Sequence, residues 1–138
     1  MKVLITGGAG FIGANLVRRL ETMESIAEIV VIDDLSFGSR ENLDGTGATL
    51  LEGSILDEEL LRNATDGAST IIHLAARSSV PRSVAEPMAT HEVNATGTAL
   101  VLEAARRAGD VQVIVASSSS VYGSTDVLPK HEELATRP

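Results

Sequence analysis

The sequence predicts an α/β fold, a doubly wound parallel sheet with helices on both faces, and three observations lead to it. Five short apolar runs rich in valine and isoleucine alternate with stretches of helical period. Glycines separate the first run from the first helix, as a sharp strand-to-helix turn requires. Only three of the 138 residues are aromatic, Phe11, Phe37 and Tyr122. The core must therefore be aliphatic, which suits strands that are buried on both faces.

The apolar runs place the strands, and right-handed crossovers between them give the sheet order 3-2-1-4-5. The predicted strands are Lys2–Thr6, Glu28–Asp33, Thr49–Glu52, Thr70–Ala75 and Val111–Ser117.

Capping residues place the helices between these strands. The first helix is predicted over Gly10–Thr22, and the second follows Asp57, an N-cap with Glu58 and Glu59 in the first turn. A third, long helix is predicted from Met88 to about Ala108, with Pro87 at its start and Gly109 as its cap. Three segments are predicted to be irregular: Asp34–Thr49 apart from one helical turn, Arg77–Glu86, and Ser118 to Pro138.

Composition excludes several classes of function. The net charge of −8 and the lack of a basic run argue against nucleic-acid binding. The absence of cysteine excludes disulfides and thiolate chemistry and favours a cytoplasmic location. No stretch approaches 18 continuous apolar residues and no signal peptide precedes the first strand, so we expect a soluble protein without membrane contact. No metal site is predicted.

The glycine cluster after the first strand has the spacing of a dinucleotide-binding turn. Gly8, Gly10 and Gly13 fit G-x-G-x-x-G, and Gly7, Gly10 and Gly13 fit the related G-x-x-G-x-x-G. One glycine allows the sharp turn, one leaves the phosphate room, and one lets the helix pack closely. The N–H groups at the helix start then favour an anion. We predict cofactor contacts at Gly7, Gly10, Phe11, Ile12 and Gly13.

An acidic residue follows the second strand at the position where ribose hydroxyls are bound. Asp33 lies 20 positions after Gly13 and predicts NAD rather than NADP, because a 2′-phosphate would face a carboxylate. Asp34 adds a second negative charge there. Arg40 could in principle pair with a 2′-phosphate, so NADP remains the alternative. Further polar clusters follow the other strands, at Ser54, Ala75–Ser79 and Ser117–Ser120. The carboxyl ends of parallel strands share one edge, so one ligand site is expected there.

Five motifs follow one another along the chain: Thr6–Gly13, Asp33–Ser36, His73–Ala76, Asn94–Thr98 and Ser117–Gly123. Together they resemble the extended short-chain dehydrogenase/reductase family, above all its nucleotide-sugar epimerases and dehydratases, over essentially the whole chain. The resemblance implies a Rossmann fold, NAD as cofactor and a nucleotide sugar as substrate. It also implies a homodimer formed through helices, for which Met88–Ala108 is a candidate.

The resemblance extends the list of candidate site residues. The family usually has aspartate at position 54, and the serine here is a departure that still offers a hydrogen-bond acceptor to adenine. Asn94 is expected to face the sheet and bond to backbone near the nicotinamide, and His73 is expected to be a satisfied core residue. Implied cofactor residues are Asp33, Asp34, Ser36, Gly38, Ser54, Ile55, Leu74, Ala75, Ala76, Asn94 and Ser117. Implied substrate residues are Ser79, Val80, Arg82, Ser119 and Ser120.

Ser118 matches the catalytic serine or threonine of the family, counted back from Val121-Tyr122-Gly123. Its hydroxyl is expected to hydrogen-bond the sugar oxygen during hydride transfer. Since four serines stand in a row, Ser119 and Ser120 remain alternatives. Dehydratases of the family tend to carry acids at those two positions, so serines there favour an epimerase.

The general acid/base of the family, a tyrosine with a lysine four residues later, is absent. Tyr122 is the only tyrosine, and residue 126 is aspartate. The chain therefore resembles the N-terminal portion of an enzyme truncated after the fifth strand, and we expect it to be inactive alone. A stand-alone NAD-binding module and part of a dehydratase or reductase are the alternatives. An apolar edge at the last strand predicts marginal stability or self-association.

Overall fold

Five parallel strands form one sheet in the order β3-β2-β1-β4-β5, as predicted. The structure is a computed structural model that describes residues 1–137, so Pro138 of the predicted last loop lies outside it. Central β1 pairs with β2 and β4, with Leu4 opposite Val30 on one side and Ile71 on the other. The strands are β1 Lys2–Thr6, β2 Glu28–Asp33, β3 Thr49–Glu52, β4 Thr70–His73 and β5 Gln112–Val115. All five carboxyl ends therefore meet at one edge of the sheet.

Helices cover both faces of the sheet and close two aliphatic cores. Successive residues of β1 point to opposite faces, since Leu4 belongs to one core and Ile5 to the other. The Leu4 core includes Leu61 and Val101, and the Ile5 core includes Val17. The helices are α1 Phe11–Glu21, α2 Glu58–Thr65, α3 Val80–Ala85, α4 Pro87–His91 and α5 Gly97–Arg107. The doubly wound prediction is confirmed.

The capping prediction for α2 is also confirmed. The Asp57 carboxylate accepts the N–H groups of Glu59 at 2.9 Å and Leu60 at 3.0 Å. The predicted helical turn after β2 is a 3-10 turn at Arg40–Leu43. A second 3-10 turn, Ser119–Tyr122, follows β5.

One prediction about the segment after β4 was wrong, and another gained a detail. Arg77–Glu86 is not irregular throughout but contains α3, whose N-cap is Ser79 and whose first turn holds Pro81. Proline fits the first turn of a helix because no intrahelical N–H bond is needed there. The predicted long helix is present and runs without a break from Pro87 to Arg107, with a π-helical turn at Glu92–Thr96 between α4 and α5. The turn lies beside Gly97, where an added Cβ would meet Ile55 at 2.5 Å.

The last two strands are shorter than predicted, and β5 leaves apolar side chains at the sheet edge. β4 ends at His73 rather than Ala75, and β5 at Val115 rather than Ser117. Ile114 and Val115 are 49% and 47% exposed. The predicted apolar edge is therefore present. Within residues 1–137, no helix is both long and apolar enough to cross a membrane.

Candidate functional site

A cavity of about 320 Å³ opens at the carboxyl edge of the sheet. It lies where the polar clusters after β1, β2, β3 and β4 converge, as expected for a doubly wound sheet. The predicted residues that line it are Gly7, Gly10, Asp33, Asp34, Ser36, Gly38, Ser54, Ile55, Leu74, Ala75, Ala76 and Arg82. These candidate residues therefore share one cavity, and their contacts with a cofactor or substrate stay predictions.

The glycine turn takes its shape from two close backbone approaches. Gly7 has φ of 71°, and a Cβ there would lie 2.7 Å from the backbone nitrogen of Ala75. A Cβ on Gly13 would lie 2.5 Å from the carbonyl oxygen of Gly7. Gly7 therefore makes the sharp turn and Gly13 permits close helix packing. Gly10 differs, because a Cβ there meets only the Gly7 oxygen, at 3.3 Å, within 4 Å.

The N-terminus of α1 presents unpaired backbone donors beside the cavity. The first intrahelical bond joins Ala14 N–H to the Gly10 carbonyl at 2.9 Å. The N–H groups of Phe11, Ile12 and Gly13 thus have no intrahelical acceptor, as at any helix start. The side chains of Phe11 and Ile12 are exposed and do not line the cavity. What these residues offer a ligand is backbone N–H groups at the positive end of the helix dipole.

Asp33 ties the glycine turn to the end of β2. It is 8% exposed, and its carboxylate accepts the N–H groups of Ala9 and Leu35, each at 2.9 Å. One bond falls on each oxygen, so each keeps a lone pair for a further donor. The Ala9 carbonyl in turn accepts the Ser39 N–H at 3.1 Å and the Asn42 side-chain amide at 2.8 Å. The loop after β2 is thereby fastened over the glycine turn.

The wall formed by β2 and β3 carries the residues predicted to meet adenosine. Asp34 accepts the backbone N–H of Ser36 at 2.9 Å, and Ser54 Oγ accepts the N–H of Leu56 at 3.1 Å. Each of these bonds closes a short turn and holds a side-chain oxygen at the cavity. Arg40 does not line it and instead pairs with Glu52 at 2.5 Å. A guanidinium for a 2′-phosphate is therefore not offered from that position.

Arginines from the segment after β4 form the opposite wall. The Arg82 guanidinium lies 4.6 Å from the ring centroid of Phe37, so the two side chains bridge α3 and the loop after β2. Arg77 pairs with Glu86 at 2.6 Å. Its Nε is buried and has no hydrogen-bond partner among residues 1–137. This wall therefore brings two guanidinium groups to a cavity whose other wall is acidic.

Asn94 bonds to backbone, as predicted, but it does not line the cavity. Its side-chain oxygen accepts the Arg77 N–H at 2.8 Å, and its side-chain nitrogen donates to the Arg77 carbonyl at 3.0 Å. It therefore shapes the wall through Arg77, and a direct contact with a cofactor stays a prediction.

The remaining candidates lie outside this cavity. Ser79 caps α3, and Val80 beside it is exposed. Ser118 caps the 3-10 turn after β5 and its Oγ accepts the Ser120 N–H at 3.2 Å. Ser117, Ser119 and Ser120 are exposed at the same sheet edge. Their roles in cofactor binding, substrate binding and catalysis stay predictions.

Five residues that line the cavity were missed from the sequence: Ile32, Phe37, Gly53, Arg77 and Val93. Phe37 had a signal, since it is one of only three aromatic residues and stands in a polar loop. Arg77 also had a signal, since it lies in the polar cluster Ala75–Ser79 expected at the ligand edge, but it was not counted among the cofactor or substrate residues. The other three present no pattern that separates them from core or turn residues.

His73 is satisfied in the core, as predicted. Burial lowers the pKa of its ring below 6.5, and its two ring nitrogens contact the hydroxyls of Thr6 and Thr98. No three His, Cys, Asp or Glu side chains within residues 1–137 are grouped so as to hold a metal ion.

Residues 3–138 match the NAD dependent epimerase/dehydratase family, and the chain belongs to that family. It is 37% identical over 137 residues to UDP-glucose 4-epimerase of Erwinia amylovora, covering 94% of this chain and 40% of that protein. The structure is similar to that of UDP-glucose 4-epimerase from Brucella ovis in complex with NAD. The TM-score is 0.89 at 34% identity, over 99% of this chain and 42% of the other.

A dehydratase is equally similar in structure. The dTDP-glucose 4,6-dehydratase from Streptomyces venezuelae, with NAD bound, gives a TM-score of 0.89 at 37% identity, over 100% of this chain and 46% of the other. The chain thus spans less than half the length of these relatives. The resemblance to nucleotide-sugar epimerases and dehydratases is confirmed at the level of the family.

Proposed function

We propose that this chain is the NAD-binding part of a nucleotide-sugar epimerase related to UDP-glucose 4-epimerase. One observation carries the proposal: the glycine turn, the donors at the start of α1 and the buried Asp33 carboxylate meet at one cavity. Each group suits one part of a dinucleotide, and their order along the sheet edge follows the order of those parts. The NAD-bound relatives support the choice of cofactor.

The residues present fit NAD. The N–H groups of Phe11, Ile12 and Gly13 suit the pyrophosphate, and the free lone pairs of Asp33 suit ribose hydroxyls. Ser54 and Ile55 lie where adenine is expected, and Leu74–Arg77 form the remaining wall. When bound, NAD supplies a hydride acceptor for a sugar hydroxyl carbon.

Ser118 is proposed to orient the sugar oxygen in the whole enzyme. Its hydroxyl stands at the end of β5, on the sheet edge that carries the cavity. The chain lacks a tyrosine with a lysine four residues later, so the pair that carries general acid/base chemistry in the family is not among its residues. We therefore expect the chain to bind NAD without turning over a UDP-sugar. An epimerase assay of the chain with UDP-glucose and NAD tests this expectation. Turnover would show that another residue moves the proton.

A dehydratase is the second candidate, favoured by the similarity to the Streptomyces venezuelae enzyme. Ser119 and Ser120 favour the epimerase, because dehydratases of this family tend to carry acids there. Homodimer formation through the helices Pro87–Arg107, where Met88 and Leu102 are exposed, is proposed for the whole protein. A cytoplasmic location stays a prediction from the cysteine-free composition.

Binding calorimetry with two glycine variants tests the proposed site. Gly10→Ala adds a methyl group at the cavity. The protein atom it meets is the Gly7 carbonyl oxygen at 3.3 Å, a contact that a shift of a few tenths of an ångström relieves, so we expect the methyl to act mainly on the ligand. We expect NAD affinity to fall by about tenfold or more, at a stability cost of about 1 kcal/mol for a poorer N-cap. Wild type should bind one NAD per chain more tightly than NADP.

Gly67→Ala is the matched control. Gly67 has φ of 68° and open space around it, far from the cavity lining. Alanine there costs about 1 kcal/mol of left-handed strain, so the two variants lose similar stability. NAD affinity should be unchanged. Equal losses of affinity in both variants, or tighter binding of NADP by wild type, would contradict the proposed site.

A further inference from the structure

His73 joins hydroxyl groups from two different elements. Its ring is 3% exposed at the end of β4. Nδ1 lies 2.6 Å from Thr6 Oγ1 at the end of β1, and Nε2 lies 2.9 Å from Thr98 Oγ1 in α5. A histidine in a protein core needs a hydrogen-bond partner for each ring nitrogen, and His73 has both. In addition, its two bonds connect the central strands to the helix behind the cavity wall.

The neighbours of Thr98 fix the tautomer of the ring. Thr98 Oγ1 lies 2.7 Å from the backbone carbonyl oxygen of Asn94, which can only accept a hydrogen bond. The single hydroxyl proton of Thr98 must therefore point at Asn94. Nε2 of His73 then has to donate to Thr98, so it carries the ring proton. In the neutral ring Nδ1 is the acceptor, and it receives the hydroxyl proton of Thr6.

The hydrogen-bonded chain Thr6–His73–Thr98, called the relay below, reaches the same wall of the cavity at both of its ends. At one end, Thr6 Oγ1 accepts the N–H of Ala75 at 3.4 Å, and Gly7 beside it packs against the Ala75 backbone. At the other end, Asn94 holds the N–H and carbonyl of Arg77 at 2.8 and 3.0 Å. The relay therefore brackets the wall segment Ala75–Arg77, which lines the cavity.

We infer that His73 is a positioning residue of the cavity: as the Nε2–H tautomer it couples Thr6 to Thr98 and holds the wall segment Ala75–Arg77 against the glycine turn. Only the identity of the ligand, NAD, rests on the proposed function. A network in which every donor and acceptor is used specifies one arrangement of its members. Losing one hydroxyl should therefore loosen the wall without removing any group that lines the cavity.

Nitrogen-15 NMR of the ligand-free chain tests the relay. Long-range proton–nitrogen correlations at neutral pH should show His73 protonated at Nε2 and unprotonated at Nδ1. Thr98→Val keeps the shape of the side chain and removes the hydroxyl. In that variant we expect a mixed tautomer and hydrogen exchange of the Arg77 amide faster by about tenfold. Thr98→Ser, which restores the hydroxyl, should behave as wild type.

Thr96→Val is the matched control, since Thr96 is exposed, lies two residues before Thr98 at the end of the π-helical turn, and carries the same side chain. It should leave the tautomer, the Arg77 exchange rate and NAD affinity unchanged. NAD binding by calorimetry adds a second readout: Thr98→Val should weaken affinity roughly five- to tenfold, with rescue by Thr98→Ser.

The outcomes separate the inference from the proposed function. An Nδ1–H tautomer in wild type overturns the inference, and so does unchanged Arg77 exchange in Thr98→Val. If wild type fails to bind NAD, the proposed function fails, whereas the tautomer and exchange data still decide whether His73 positions the wall.

Discussion

At the scale of single residues, two buried groups at the sheet edge are stabilised without an opposite charge. Asp33 is compensated by two backbone N–H groups, and His73 stays neutral between two hydroxyls. Hydrogen bonds to a carboxylate offset much of its desolvation, while a ring that can lose its charge avoids the penalty. Each group thereby connects backbone segments that line the cavity.

Acidification should destabilise the chain through His73. Because burial lowers the pKa of the folded ring below 6.5, the unfolded chain binds the proton more readily in the range just below that value. Stability from His73 is therefore complete above pH 6.5 and falls as the pH drops toward the folded pKa, by up to about 1.4 kcal/mol per pH unit. Urea unfolding at pH 7.5 and 5.5 measures this.

Two variants isolate the contribution of His73. His73→Gln removes the titrating group, so its loss of stability between the two pH values should be smaller than that of wild type. His91→Gln, at an exposed histidine in α4, should keep the wild-type difference. If the free energy of unfolding falls equally with pH in wild type and His73→Gln, the loss of stability does not come from His73.

Residues whose role is set by the local backbone were predictable from the sequence. The turn after β1 needs a left-handed φ at Gly7, and the close approach of α1 needs the missing Cβ of Gly13. Asp33 was found by its spacing from these glycines, and it bonds to the N–H of Ala9. Phe37 and Arg77 each had a local signal but were missed, because their place in the cavity depends on how separate segments fold over it. Neither signal indicates which cavity the residue lines.

At the scale of elements, caps and packing faces decide where helices begin and how they are shaped. Asp57 and Ser79 cap α2 and α3, and a π turn adjusts the helix that faces the sheet. The π turn could not be predicted, because nothing in the local sequence forbids a regular helix there. It accompanies two tertiary features, the Asn94 bonds to Arg77 and the contact of Gly97 with Ile55. Such turns occur often at functional sites.

Removing the α2 cap should destabilise the chain without affecting the cavity. Asp57→Ala leaves the N–H groups of Glu59 and Leu60 without their acceptor, at a cost of about 1 kcal/mol in the free energy of unfolding. Asp57→Asn should recover most of the loss, since an amide oxygen also caps. Urea unfolding gives both values. Equal stability of Asp57→Ala and wild type would mean that the cap contributes nothing.

At the scale of the whole molecule, the sheet order followed from the alternation of strands and helices and from crossover handedness, and it was correct. The two faces of the sheet are not covered equally along its width. Edge strand β5 keeps Ile114 and Val115 about half exposed, whereas central β1 is buried over Val3–Thr6. The apolar pattern alone predicted β5 as a strand but carried no information on what covers each part of it.

The exposed edge should promote self-association. An edge strand with apolar side chains offers unpaired backbone groups and an apolar surface to a second chain. We expect wild type to sediment partly as dimers or larger species at high concentration, and Ile114→Lys to shift the distribution to monomer. Met23→Lys, which changes a comparably exposed apolar side chain away from the edge, should leave the distribution unchanged. A monodisperse, thermally robust wild-type monomer would count against this prediction.

The glycine turn, α1 and Asp33 are proposed to hold NAD, and a crystal structure of the chain grown with NAD tests this proposal. We expect the pyrophosphate on the N–H groups at the start of α1, and ribose hydroxyls donating to Asp33. NAD located elsewhere, or crystals that remain free of NAD at saturating concentration, would contradict it.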